Sequence, residues 1–380
     1  MRTFHKLIAA GAIAATATAM AVVPAMANPP KGVTPRAKDI VGFGSDTIQN
    51  LFDQFSINYN ATVKKSAPHL YSFDATGPGG VLHDSIKAKT GCAKAPRPNG
   101  SSEGILGTAG GPYGLTANTK DPAGGTGFCS DFARSSRARA TGDPANIDFV
   151  PFALDAVTFA TNAGSNAPSD LTTAQLAEIY TCTVPATAGH PKNNWADLGG
   201  KPGKINAQLP QTGSGTRKFF LTALGAGVPI TPGACVDSTK GESPNNLPEE
   251  NEGTNKFLQG PNTVYPYSVA DWIAQVFHSA RANKTGTCTP GKGQNLFGCD
   301  IHGSMQLRDI NRTAPLQFLS SQPTLDSRSF SPAFIRQVFI VVRGSKVPGY
   351  LSGLFGPHGW LFTSKTAKND ILSYGFLPFR

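Results

Sequence analysis

The spacing of apolar residues changes several times along this chain, and each change predicts an element. Asp39-Ile40-Val41-Gly42-Phe43 is a short, nearly unbroken apolar run of the kind a buried strand shows. It passes through Gly44-Ser45-Asp46-Thr47 into Ile48, Leu51, Phe52, Phe55 and Tyr59, which recur at helical spacing. Ser45, Asp46 and Thr47 are all good helix N-caps. Tyr71-Ser72-Phe73-Asp74 predicts a second strand, ending in Ala75-Thr76-Gly77-Pro78-Gly79-Gly80, after which Val81, Leu82 and Ile86 open another helical pattern. From Lys87 to Gly127 the chain is rich in Gly, Pro, Lys and Thr with little periodicity, which predicts a long surface excursion held by Cys92 and Cys129.

The pattern resumes at Asp131-Phe132-Ala133-Arg134-Ser135-Ser136-Arg137. Ile147–Ala153 and Val157–Ala160 follow as two strands, where the chain crosses into a new region. Leu171–Tyr180 predicts a helix capped by Thr, and Lys204–Leu209 a strand. That strand leads into Gln211-Thr212-Gly213-Ser214-Gly215-Thr216-Arg217 and the apolar run Phe219-Phe220-Leu221. Thr231 to Gly260 is polar and loop-like, Tyr267 to Phe277 reads as a strand or turn leading into a helix, and Arg336–Arg343 is the strongest late strand. Leu351 to Phe379 carries one more amphipathic helix, and neither repeats nor a coiled coil are present. Strands alternating with helices predict an α/β protein.

Composition narrows this picture. With 380 residues the chain is long enough for two domains, and 39% hydrophobic residues with all aromatic types argue for a globular protein. Only 15% of residues are charged, yet the formal balance is +10. No long Lys/Arg cluster tracks a phosphate backbone, so the excess fits a small anion better than nucleic acid. Met1-Arg2-Thr3-Phe4-His5-Lys6, an uncharged Ala-rich run from Leu7 to Val23, and Ala25-Met26-Ala27 have the form of a secretory signal peptide over residues 1–27. Cleavage is expected after Ala27, and losing Arg2 and Lys6 lowers the formal charge from +10 to +8. No cysteine lies there for a lipid anchor, and no later apolar run approaches the roughly 20 residues that span a bilayer. The expectation is a soluble protein, secreted or periplasmic.

Cys92, Cys129, Cys182, Cys235, Cys288 and Cys299 are an even set in an exported chain, which predicts three disulfides. Six cysteines allow about 15 pairings, of which sequential pairing is the first expectation. No C-x-x-C or H-x-x-x-H spacing points to a metal, and no cofactor is expected.

The opening of the Gly213–Thr216 helix carries the most specific chemistry. Its glycines and hydroxyls place backbone N–H groups and side-chain donors around one point, with the positive end of a helix dipole behind them, an arrangement that favours an oxyanion. Three earlier turns are of the same kind: Gly44–Thr47, Thr76–Gly80 and Arg134–Arg137, the last with two arginines able to bind an anion bidentately.

Three such turns before the crossing and one after it resemble the phosphate-binding protein of bacterial phosphate ABC transporters. That resemblance implies a two-lobed type II periplasmic-binding fold, each lobe a mixed sheet flanked by helices, with the ligand cleft between them. It extends over most of the mature chain, including Leu171–Tyr180 with Trp195, Tyr265-Pro266-Tyr267-Ser268-Val269 and the strand near Phe339. Lobe I is expected at 28–157 plus 341–380, and lobe II at 158–340. The resemblance carries ligand-binding roles onto Ser214, Gly215 and Thr216, and places Thr76 about where the family has a ligand-binding Ser. It departs at Ser136, where the family usually has an Asp that accepts the proton of monohydrogen phosphate, and at Pro210, where it has an Arg. Arg134, Arg137 or Arg217 are candidates for the missing cation and Asp46 for the missing acceptor. Ser45, Thr47 and Ser135 complete the expected set.

The leading reading is therefore an exported, monomeric solute-binding protein, not an enzyme, that captures an inorganic oxyanion, phosphate preferred, for an ABC transporter membrane complex. The alternative is a binding fold turned to surface interaction or signalling without transport. A hydrolase lacks support, since no G-x-S-x-G, H-E-x-x-H or P-loop signature is present and His69, His83, His190, His278 and His358 fall in loops or helix ends.

Overall fold

A computed structural model describes residues 29, 32–77, 80–108, 111–116, 127–186, 189–236, 248–279 and 301–379. Residues 1–27, Cys288 and Cys299 lie outside them, and with these the expected cleavage site and third disulfide.

Among the described residues, nine strands form one mixed sheet. They are β1 (Ile40–Gly44), β2 (Leu70–Ser72), β3 (Phe132–Ser135), β4 (Ile147–Asn162), β5 (Asn206–Ala207), β6 (Thr263–Ser268), β7 (Met305–Leu307), β8 (Ile335–Arg343) and β9 (Leu377–Pro378). The order is β2-β1-β3-β8-β4-β6-β5, with β7 and β9 also paired to β4. β1 is parallel to both β2 and β3, and all five of its residues are buried, which is why its sequence does not alternate. The helices that flank the site are α1 (Gln49–Thr62), α2 (Gly100–Leu106), α3 (Thr173–Thr181), α4 (Gly215–Leu224) and α5 (Val269–Ile273); α6 (Lys365–Ser373) lies near the C-terminus.

The segments read as two strands, Ile147–Ala153 and Val157–Ala160, are one strand of 16 residues. Asp155 lies in the gap between those two segments. Its carboxylate is fully engaged: Oδ2 accepts from Ser268 Oγ and Arg336 Nε and Nη2, and Oδ1 from the Ala270 N–H. A buried charge with that many partners does not break a strand. The first part of β4 pairs with β8 and the second with β6 and β7, so one strand runs between two hydrophobic cores. One core gathers Phe52, Phe55, Phe132, Phe152, Val338 and Ile340, and the other Val157, Leu176, Trp195, Phe220, Val264 and Phe334.

The 87–127 stretch is more than a surface excursion. Val81, Leu82 and Ile86 do not start a helix: Val81 forms a bridge to Gly77, and Ile86 lies in the ribbon Ser85–Lys87, antiparallel to Lys94–Pro96. Ile86, Ala88 and Ala95 turn into a small core with Val41, Phe43 and Tyr113. Cys92 pairs with Cys129, and Lys89 makes a wholly buried ion pair with Asp131 at 2.5 Å. The chain then enters α2, whose Gly104 packs directly on β1: a Cβ there would lie 2.5 Å from Gly44 Cα. Only a glycine pair permits this approach, and it carries the start of α2 toward the end of β1. Cys182, at the end of α3, pairs with Cys235 beyond α4, so both bridges among the described residues follow the sequential pattern.

Replacing Cys92 and Cys129 together with serine is expected to lower stability by about 4 kcal/mol through the freed loop entropy of the unfolded chain. Urea unfolding of the purified protein measures this, and a loss below about 1 kcal/mol would contradict the role given to the bridge.

Candidate functional site

The ends of β1 and β3 and the start of α4 bring their turns together with the start of α2. Ser45 Oγ donates to Ser136 Oγ at 3.0 Å, and the Ser136 N–H donates to Ser101 Oγ at 3.0 Å. Thr47 Oγ1 and Thr216 Oγ1 lie 3.4 Å apart. Ser214 caps α4 by accepting from the Arg217 N–H at 3.2 Å. Gly215 fits between the turns because it lacks a side chain, since a Cβ there would lie 2.3 Å from Ser101 Oγ and 2.4 Å from Ser136 Oγ. Ser45, Thr47, Ser101, Ser136, Ser214 and Thr216, from four separate parts of the chain, thus share one buried cluster.

The cation of this cluster is Arg336, in β8. Its Nη1 donates to Thr216 Oγ1 at 2.7 Å and to the Ser136 carbonyl at 3.1 Å, while Nε and Nη2 hold Asp155. The three arginines named from sequence are engaged elsewhere. Arg134 lies under the β1 turn, where it donates to the Ser45 and Gly44 carbonyls and to Ser72 Oγ. Burial pulls its pKa down to about 10, so it stays charged at neutral pH. Arg137 forks onto Asp143 at 2.6 and 2.9 Å, and Arg217 donates back to the Pro210 carbonyl at 2.9 Å. Ser135 serves its own turn, donating to the Arg137 carbonyl. Thr76 is half-buried in the loop after β2 and makes no hydrogen bond to the cluster. The hydroxyl found in the cluster is Ser101, within the stretch read as a surface excursion.

Carboxylates close the other side. Glu250 reaches into the hydroxyls: Oε1 accepts from Thr47 Oγ1 and from Thr216 Oγ1 (2.6 Å), and Oε2 from Ser214 Oγ at 3.1 Å. Glu249 accepts from Asn99 Nδ2 at 2.7 Å, and Asn99 is itself held by Gln211 Nε2. Asp46 does not cap α1; its buried carboxylate oxygens meet no hydrogen-bond donor, and oxygens of Asp46, Glu249 and Glu250 lie within 4.8 Å of one another. Such a trio has the hard oxygen ligands of a cation site, although the groups facing Glu250 are the donors that suit an anion. Burial, followed by the charges of Glu250 and Glu249, raises the Asp46 pKa well above the usual carboxylate range. Burial with Glu250 and Glu252 pushes Glu249 up to about 8, and burial with Asp155 raises Asp271.

A family model described as the PBP superfamily domain matches residues 29–288. The chain belongs to this family. No curated protein matches the sequence. Among solved structures, the chain is similar to an ABC-type phosphate transport receptor from Vibrio cholerae, at 16% identity and a TM-score of 0.51, over 89% of this chain and 99% of that one. A phosphate ABC transporter substrate-binding protein from Clostridium perfringens, solved with bound phosphate, is similar at 13% identity and a TM-score of 0.49, over 90% and 100%. The fold is that of the type II periplasmic-binding proteins, as the four turns led one to expect.

Within this PBP-superfamily frame, the hydroxyls missed or found differ in how they announce themselves. Asn99-Gly100-Ser101-Ser102 has the same Gly/Ser opening of a helix as the other turns, and that signal alone could have placed Ser101. Arg336 shares its strand with Gln337 and Arg343, so its charge alone did not single it out. Glu250 carries no local signal.

The raised acids give a pH prediction. Above about pH 4 the unfolded chain releases carboxyl protons that the folded site retains, so stability falls as pH rises from that range to about 8. The melting temperature is expected to drop between pH 5 and pH 8, and Glu249→Gln to flatten the drop and raise the value at pH 8. A wild-type melting temperature that climbs over this interval contradicts the assignment.

Proposed function

We propose that this is an exported solute-binding protein that captures inorganic phosphate between its two lobes and delivers it to an ABC-type uptake complex. The observation that carries this reading is the convergence of six hydroxyls and the Arg336 guanidinium on one buried point, fed by turns distant in sequence. Preorganised donors in a water-poor site suit a tetrahedral oxyanion, and α4 adds its first-turn amides. Solved relatives named as phosphate receptors support the choice of ligand.

The lobes of this reading are 28–157 plus 341–380 and 158–340, a division that the two hydrophobic cores support over most of its length. Core membership supports a return crossing near the start of β8, since Val338 and Ile340 pack in the first core and Phe334 in the second. Closure of the lobes would bury the anion and strengthen its hydrogen bonds. Signal-peptide removal would leave the protein outside the cytoplasm, working as a monomer without a cofactor.

Asp46 supplies the acceptor that Ser136 lacks. Burial favours its protonated form in the unliganded site, so it discriminates only once ionised, when it accepts the proton that protonated phosphate carries and sulfate does not. Calorimetric titration of the mature protein with phosphate and with sulfate tests the reading, which an absence of heat for both would overturn. Asp46→Asn places an N–H donor at the same spot and is expected to reduce the preference for phosphate over sulfate at least about tenfold, or roughly 1.4 kcal/mol. Unchanged discrimination would remove Asp46 from the specificity mechanism.

A further inference from the structure

Glu250 stands where the donors converge. Three of the six hydroxyls, on Thr47, Ser214 and Thr216, direct their hydrogens to its two carboxylate oxygens, and Arg336 supplies the cation behind Thr216. A carboxylate and a phosphate face offer the same thing to such donors: negatively charged oxygens a little over 2 Å apart on one centre. The side chain is wholly buried, so this is no passing surface contact.

The backbone that delivers Glu250 is fixed by tyrosines of β6. Tyr265 Oη donates to the Pro248 carbonyl at 2.9 Å, and Tyr267 Oη to the Asn251 carbonyl at 2.8 Å. Gln275 Nε2 donates to the same Asn251 carbonyl at 2.7 Å. Asn99 anchors the neighbouring Glu249 from the α2 side. Glu250 is thus presented from the β6 side to hydroxyls on the turn at Thr47 and at the start of α4.

We propose that Glu250 is an internal competitor for the oxyanion, a carboxylate that takes the ligand's hydroxyls in the unliganded protein and must withdraw before phosphate can seat. The inference rests on the anion-binding reading above and deepens it, naming the residue that sets affinity and excludes anions too weakly bound to displace it. Occupation of the site by an attached group lowers apparent affinity by the fraction of molecules in which the site is open. Removing the competitor therefore tightens binding.

The test is calorimetric titration of inorganic phosphate and sulfate into the full mature protein and its Glu250→Ala and Glu250→Gln variants, with circular dichroism melts to establish folding. Glu250→Gln keeps the shape and one acceptor oxygen while removing the charge, so it reads out the proposal should the alanine variant fail to fold. Phosphate binding at least tenfold tighter in the folded variants than in wild type, or binding in a variant where wild type shows none, is the expected result. Wild-type binding with unchanged affinity in the variants overturns the competitor and leaves phosphate capture standing. Weaker binding in the variants also overturns it, since that is the outcome if Glu250 accepts the ligand's proton. No binding of either anion by any folded form overturns the competitor and phosphate capture together.

Discussion

The whole arrangement depends on the Arg336–Asp155 pair and what else that guanidinium holds. A charge pair removed from water is stabilising only when its remaining hydrogen-bonding capacity is met. Here Asp155 is satisfied by Arg336, Ser268 and the Ala270 amide, and Arg336 turns its Nη1 donors to Thr216 and the Ser136 carbonyl. One side chain therefore fixes β4 against β8, the turn after β3, and the first turn of α4. Loss of either partner would leave an uncompensated buried charge at the junction of both cores and release the site's geometry together with the fold.

The site balances donors against acceptors in an unusual ratio. Hydroxyls and a guanidinium gather on one side, and Asp46, Glu249, Glu250 and Asp271 press from the other, raising the pKa of three of them. A pocket made only of donors would take any oxyanion of the right size. In the proposed anion site, the acidic side would make the number of protons carried by ligand and protein part of the recognition.

Much of the fold was legible because the apolar patterns are strong. β1 with α1, α3, α4 and β8 all stand where periodicity puts them. The sequence reading went astray where a polar residue inside an element is satisfied by a distant partner. The gap between the two predicted strands holds Asp155, whose partner Arg336 lies far away in the chain, and Lys89 and Ser101 seemed to be surface residues because Asp131 and Ser136 bury them from outside the aperiodic stretch. In the site, the turns announced themselves by local chemistry, glycine and hydroxyl before a helix. Arg336 and Glu250 enter it only through tertiary structure, and the arginines nearest in sequence are drawn off to Asp143 and to backbone carbonyls.

The unbroken run of β4 through both cores also bears on how the molecule can flex. Two bodies linked by slack segments can swing widely, but here the link is a ladder-bonded strand whose Ala156 pairs with Ile335 on one side of the boundary and whose Val157 pairs with Ser268 on the other. Bending such a strut means twisting a pleated ribbon while its rungs stay intact. Such a strut favours small rotations about a stiff axis over wide swings, with displacement growing with distance from Asp155.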